Sequence, residues 1–320
     1  MGRAMQSLSL FGWLVAAAAA LPTVLACDLA CAEGENKQGG ACVAKSLERF
    51  DGKPQTMSVP WAAGSGVTIE GVHGDIRVSR GDSAEVVVHF EPFSYRAHDS
   101  GKAARHEMED SLVLSAEAVN GVTISAARDG GSDGLGAHIH VELPAAFDGS
   151  LSVSNEGAGS VNPGNTDVEF VGSSPKVAIA SAGIGDCTLR GVPSVVSTTV
   201  LCGGAVAVSG VADDVSIETT GLFTDSAVSL QLAAVGGGAV GGSVTSRDGD
   251  LLVTLPATGS YSVTASSPTL GEVQLGTPPS GCVAASAEPW TVSCGDGSPE
   301  YTFIAGSDGL GASNVVINYE

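Results

Sequence analysis

AHIHVELPAAFDGSLSVSNEGAGSV, Ala137–Val161, and DLLVTLPATGSYSVTASSPTLGEV, Asp250–Val273, are two versions of one unit. Each alternates apolar and polar residues, breaks at Leu-Pro-Ala, passes a Gly-Ser pair and alternates again. A period of two puts every second side chain on one face, the mark of a half-buried strand. Proline cannot donate to a ladder and Gly-Ser turns the chain, so the break is a corner between strands. A further identity, Gly-Ser-Asp-Gly-Leu-Gly-Ala, stands at Gly131–Ala137 and again at Gly306–Ala312, each time ahead of a strand pattern (HIHVEL and NVVINY). Repetition of this kind marks an architecture of stacked units.

The same alternation spreads outward from both copies. Val67–Glu70, Asp75–Ser79 and Glu85–Phe90 alternate between glycines, and Leu112–Glu117 with Val122–Ala126 predicts a hairpin across Asn120-Gly121. From Val177 to Ala265, short Val-rich runs recur with Gly, Pro, Asp or Ser between them. Aromatics are only 5% of the 320 residues and glycines number 44, which suits a thin core of small branched side chains. The expected fold is all-β, a β-solenoid of short stacked strands, with a β-sandwich as the alternative. Solenoid ends need caps, and Trp61 and the Cys282–Cys294 segment with Trp290 are placed to supply them. One interruption, EPFSYRAHDSGKAARHEMEDS at Glu91–Ser111, predicts a solvated insertion with a short exposed helix over Lys102–Asp110.

Met1–Ala26 carries Arg3, then an apolar run from Leu8 to Leu21, too short for a transmembrane span and placed as a secretory signal. Val24-Leu25-Ala26-Cys27 resembles a bacterial lipobox, whose cysteine is diacylated and becomes the first mature residue. Ordinary cleavage after Ala26 or Ala32 is the other reading. Asp28 resembles the inner-membrane retention signal of enterobacterial lipoproteins. The expected organisation is a signal peptide over residues 1–26, a lipidated polar tether over 27–60, and a β-solenoid domain over 61–320 with the insertion at 91–111.

Seven cysteines in an exported chain leave one over. With Cys27 lipidated, six remain as near-neighbour couples: Cys31 with Cys42, Cys187 with Cys202, and Cys282 with Cys294. Six cysteines allow 15 connectivities, so short loops are the basis of this pairing. No C-x-x-C spacing suggests zinc.

The run Gly71-Val72-His73-Gly74-Asp75-Ile76-Arg77-Val78, followed by Gly81-Asp82 and Glu85–Val88, resembles the opening of a bacterial adhesin-like domain of unknown function, the DUF4097 type. Leu143-Pro144-Ala145 with Gly149-Ser150-Leu151-Ser152-Val153 is similar to a later line of that family. The resemblance covers Val67 to Val273 and implies a β-solenoid-like stack. The family defines no catalytic residues, so none carries over. The cysteine couples and the Cys282–Cys294 insertion depart from its pattern.

Several motifs look chemical. Leu255-Pro256-Ala257-Thr258-Gly259 matches a sortase signal but lacks the apolar span and basic tail that follow one; its twin at Leu143-Pro144-Ala145 makes it part of the repeat. Gly236–Gly241 satisfies G-x-G-x-x-G, yet a strand pattern follows where a dinucleotide site needs a helix. His138 and His140 share a strand face and, with His73 or His89, could approach a metal; without a carboxylate in the local pattern, such a pair is more often simply exposed on its strand. Asp129, Asp133 and Asp308 lie in Gly-rich turns that could offer oxygen to Ca²⁺, although Asp-Gly is itself a turn former. No catalytic motif, metal ligand set or cofactor site is expected.

The formal net charge of −21 argues against nucleic acid as a partner, because phosphate recognition needs cations. Basic residues read as scattered, which weakens a glycan-active site of clustered acids with Lys or Arg. The chain is therefore expected to be a lipid-anchored envelope protein of adhesin-like type, with a non-catalytic binding or structural role. Its partners would be the membrane, through the N-terminal lipid, and a protein or glycan ligand. The alternatives are a β-helix glycan-active enzyme and a calcium-stabilised binding module. The location expected is the outer membrane or cell surface, with the periplasmic face of the inner membrane or secretion as alternatives.

Overall fold

In Leu-Ser-Val-Ser-Asn, Leu151, Val153 and Asn155 turn inward and are buried while Ser152 and Ser154 face solvent. Strand after strand repeats this division. The computed structural model describes residues 35–38, 41–44, 47–97, 100–156, 164–169, 176–190, 197–211, 214–220, 227–233, 240–268, 271–285, 287–307 and 312–320. It divides into two units, Met1–Lys45 and Ser46–Glu320. The first contains an antiparallel hairpin of β1 (Glu35–Gln38) and β2 (Ala41–Ala44).

The second unit is a stack of flattened coils between two long sheets, called here I and II. It opens with β3 (Leu47–Asp51), β4 (Gln55–Pro60), β5 (Val67–Gly71) and β6 (Ile76–Arg80). Then come β7 (Glu85–Ala97), α1 (Gly101–Ser111), β8 (Leu112–Ala118), β9 (Val122–Arg128) and β10 (Leu135–Leu143). From there the chain climbs coil by coil, with one strand in sheet II and one in sheet I. The pairs are β11 (Leu151–Asn155) with β12 (Thr166–Glu169), and β13 (Val177–Ser181) with β14 (Cys187–Arg190). They continue as β15 (Thr198–Cys202) with β16 (Val206–Val211), β17 (Val215–Thr219) with β18 (Val228–Leu232), and β19 (Gly241–Ser246) with β20 (Leu251–Leu255). Neighbours within a sheet are parallel here, so Leu151, Val177, Thr198, Val215 and Gly242 stack in one file. The core is a double column of Val, Ile and Leu between the sheets. Each coil touches only the next, so stability accumulates along the stack.

The C-terminal end adds β21 (Tyr261–Ser266), β22 (Val273–Leu275), β23 (Cys282–Ala285), β24 (Trp290–Cys294), β25 (Glu300–Ala305) and β26 (Val315–Tyr319). Here spatial order departs from chain order, and it does so at both ends. The coil β5–β6 sits between β9–β10 and β11–β12, although β10 runs directly into β11. The coil β25–β26 sits between β19–β20 and β21–β22, although β20 runs directly into β21. Both of these connections, β10 to β11 and β20 to β21, are Leu-Pro-Ala corners. Each climbs two rungs, roughly 9–10 Å at the usual strand spacing. The backbone marks both alike. Leu143 accepts the amide of Gly81, just past β6, at 2.8 Å, and Leu255 accepts the amide of Glu320, just past β26, at 2.9 Å.

Close backbone approach at these crossings requires glycine. A β-carbon on Gly149 would stand 1.9 Å from the Ser65 carbonyl oxygen, and one on Gly74 would stand 1.8 Å from that of Ala137. Gly149→Ala and Gly74→Ala should each destabilise by about 1–3 kcal/mol or more, the range of overpacked sites. Ser152→Ala, on the exposed face, should stay within about 0.5 kcal/mol. Denaturant midpoints decide this; a Gly149→Ala midpoint equal to that of Ser152→Ala would refute the close approach.

The N-terminal end is an antiparallel cap. β7 pairs with β10, β3 and β4, and β8 pairs with β9. The predicted hairpin is present, with Asn120 and Gly121 at φ 56° and 125°. The stretch 91–111 is a built part of this cap rather than a solvated excursion. Strand β7 continues through Ala97, and α1 buries Ala104, Glu107 and Met108. Likewise β3 and β4, which fall within the segment read as tether, belong to sheet I. Their sequences are too short and too exposed for alternation to reveal them. Trp61 closes a corner rather than an end: its indole donates to the Ser65 carbonyl at 2.9 Å and packs 5.6 Å from the Phe147 ring. The opposite end is covered by the antiparallel strands β24 and β23, with Trp290 beside Ala265.

Two disulfides hold this frame. Cys187–Cys202 joins β14 to β15, tying sheet I to sheet II through the core. Cys282–Cys294 joins the facing residues of β23 and β24. Cys27, Cys31 and the side chain of Cys42 lie outside the described residues. Among the described residues no helix is long and apolar enough to cross a membrane.

Candidate functional site

Sheet I presents a cleft of about 440 Å³ on its outer face, near the N-terminal cap. Strand β10 supplies His138 and His140, which alternation directs outward while Ile139 and Val141 enter the core. Antiparallel pairing brings Glu91 and His89 of β7 opposite them, and parallel pairing sets Arg77 of β6 beside His140 on the other side. Asp75 and Arg49 complete the lining.

The cleft has two rows with different electrostatics. In the first, His138 Nδ1 lies 3.2 Å from a carboxylate oxygen of Asp75 and 3.0 Å from the Asp75 amide nitrogen. Hydrogen bonding to His138, with the Asn165 amide as a further donor, holds the Asp75 carboxyl below its usual range against the opposing effect of burial. Arg49 donates to Asp51 at 2.7 Å and stands 4.9 Å over the Phe93 ring, which also packs 4.9 Å from His138. In this row Asp75 and Arg49 each have a partner.

The second row runs His89, His140, Arg77 across three adjacent strands. The His89 and His140 rings are 5.9 Å apart. His89 Nδ1 meets Thr56 Oγ1 at 3.0 Å, and His140 Nε2 meets Ser79 Oγ at 3.0 Å. Burial depresses the His140 pKa, with Glu142 opposing the shift and nearby His89 and Arg77 adding to it. Glu142 lies 4.0 Å from His89 Nε2, and Glu91 also acts on His140 through its charge. Asp167, Arg77's other cross-strand neighbour, is engaged by Arg190 at 3.3 Å. Arg77 is exposed, and among the described residues it makes no ion pair.

His138 and His140 thus share a face and are joined by His89. His73 is elsewhere: it is buried in the β5–β6 corner at φ 55°, near the Leu135 carbonyl oxygen at 3.2 Å. Among the described residues no three His, Cys, Asp or Glu side chains converge as metal ligands. Asp133 faces Arg128 at 3.4 Å, and Asp308 lies outside the described residues. Gly241 ends the G-x-G-x-x-G run by opening strand β19. The basic residues are not scattered. Only Lys176, Arg190 and Arg247 lie beyond Arg128, so cations gather at the cap end of an acidic stack. That bias was readable from the sequence; the gathering of Arg77, His89 and His140 was not.

No protein-family model matches the chain, and no curated protein matches it. Solved structures similar to it include three bacterial proteins. One, from Clostridium sporogenes, is named as a candidate cell adhesion protein; it is 10% identical, with 84% of this chain and 99% of that one covered and a TM-score of 0.36. A candidate adhesin from Bacteroides fragilis is 11% identical over 84% of this chain and 97% of its own, with a TM-score of 0.36. A candidate lipid-binding protein from Parabacteroides distasonis is 13% identical over 82% and 96%, with a TM-score of 0.38. Likeness at these scores transfers neither ligand nor activity.

Proposed function

We propose that this chain is a lipid-anchored envelope protein of adhesin-like type that binds a ligand without transforming it. The observation that carries the reading is the cleft. Its side chains stand on paired strands of a cross-linked stack, where a binding surface is held rigid without help from the ligand. The His, Arg and carboxylate groups offer donors and acceptors side by side, which suits a polar ligand such as a glycan. The resemblance to the DUF4097 type agrees with this reading. A glycan array probed with the full chain tests it. Retention is expected for the native chain and is expected to be lost in the His89→Ala, His138→Ala, His140→Ala triple variant. Equal retention of the variant would remove the cleft from the function.

Attachment rests on Cys27, with two acyl chains giving stable anchoring at about 0.8 kcal/mol per buried CH₂. Cys27→Ala is expected to move the protein from the membrane fraction to the soluble fraction. A variant that still sediments with membranes would rule out the anchor.

A further inference from the structure

Within the cleft, the row of Arg77, His140 and His89 has a charge pattern that the fold does not need. Three groups able to carry positive charge stand on consecutive strands of one sheet face. Like charges placed side by side repel, and an arrangement that a stack of hydroxyls could replace is destabilising until an anion joins it. Elsewhere the fold pairs such groups: Arg190 with Asp167, Arg49 with Asp51, and Arg96 with Glu107. Among the described residues Arg77 is left over, on a chain of net charge −21, where long-range repulsion would keep anions away unless a site held them locally.

We propose that this row seats an oxyanion of the ligand, a sulfate, phosphate or carboxylate group, and that it does so more tightly as pH falls. The inference rests on reading the cleft as the binding site. Arg77 supplies a permanent charge with a planar set of donors, His140 adds charge as pH falls, and the His89 ring stands beside it as a further donor. Burial lowers the His140 pKa, so its charge comes in at a lower pH than that of an ordinary histidine. The charged and titratable groups facing the row are Glu142 and His138 on β10, Glu91 on β7, Asp75 just ahead of β6, Arg49 on β3, and Asp167 on β12. Glu142 is the one that competes directly, through His89.

Sulfate is the probe, because it stays a dianion across the range. The full chain is titrated with it at about pH 5.5 and about pH 8, following the histidine ring signals by NMR. The His140 and His89 signals should move, with affinity at least about tenfold higher at the lower pH. Arg77→Ala should abolish the response, and Glu142→Gln should strengthen it by removing the competing carboxylate. Unmoved ring signals, or a response untouched by Arg77→Ala, would overturn the proposal. Cellobiose is the neutral comparison: if it moves the same signals as strongly as sulfate, the cleft reading stands and the oxyanion assignment falls. If sulfate responds as expected while the triple histidine variant keeps its glycan retention, the seat stands and the cleft reading falls.

Discussion

A chain ending at Ser298 is expected to lose the whole C-terminal end of the stack, not only its last coil. In an ordinary solenoid the final repeat contacts one neighbour, so its removal is local. Here β25 lies between β19 and β21, and β26 between β20 and β22. Removing them leaves an empty rung in both sheets. It also leaves the antiparallel cap of β24 and β23 bonded to a β21 that touches nothing on its inner side. The lost core includes Tyr301, Phe303, Val315 and Ile317, each at most 2% exposed. At about 1.5–3 kcal/mol for each buried side chain, the loss is comparable to the roughly 5–15 kcal/mol stability of a whole domain. The truncated chain should be insoluble, or should melt at least about 10 °C lower, with protease cutting first around the Leu255-Pro256 corner. Native protease resistance with an unchanged melting midpoint would show that the coil is not an internal support.

The second large effect is at the other end. Glu107 on α1 is a carboxylate whose side chain is 5% exposed. It accepts Ser94 Oγ at 2.7 Å, the guanidinium of Arg96 at 2.8 Å and the amide of Ser132. Burial alone would raise its pKa, but these donors outweigh it and hold the pKa at about 2. The group therefore anchors α1 to β7 and to the turn before β10. Glu107→Ala removes the carboxylate that Ser94, Arg96 and the Ser132 amide all donate to, and is expected to cost about 3–5 kcal/mol. Because the folded pKa lies below the unfolded value, the stabilisation is complete above the unfolded carboxylate range. It is lost as pH falls from about 4.5 toward 2. The native chain should lose about 3 kcal/mol across that window from this group, and the Ala variant should lose correspondingly less. Urea unfolding at several pH values tests both; parallel pH curves would refute the assignment.

The resemblance between the two ends explains the repeated sequence. Leu-Pro-Ala followed by Gly-Ser recurs because two connections do the same uncommon thing, stepping over a coil supplied by a distant part of the chain. Pro144 and Pro256 stop the strand, and the freed leucine carbonyl receives an amide from the inserted coil. The helix of the cap was legible in its Ala, Arg, Glu and Met content, but its burial was not. Glu107 reads as one more surface acid until Ser94, Arg96 and Ser132 close around it.

The strands, their inward faces and the corner between them follow from local chemistry: alternation, a residue that cannot donate, and glycine where backbones meet. His138 and His140 sharing a face follows from the same period. The order of the coils does not. Val-x-Val patterns are interchangeable, so nothing local tells β11 to join β5 rather than β9. That choice belongs to pairing between segments far apart in sequence, and it is made by the whole stack at once. The same pairing sets His89 and Arg77 on either side of His140. The cleft is therefore a property of the tertiary structure, because its row runs across the strands and not along the chain.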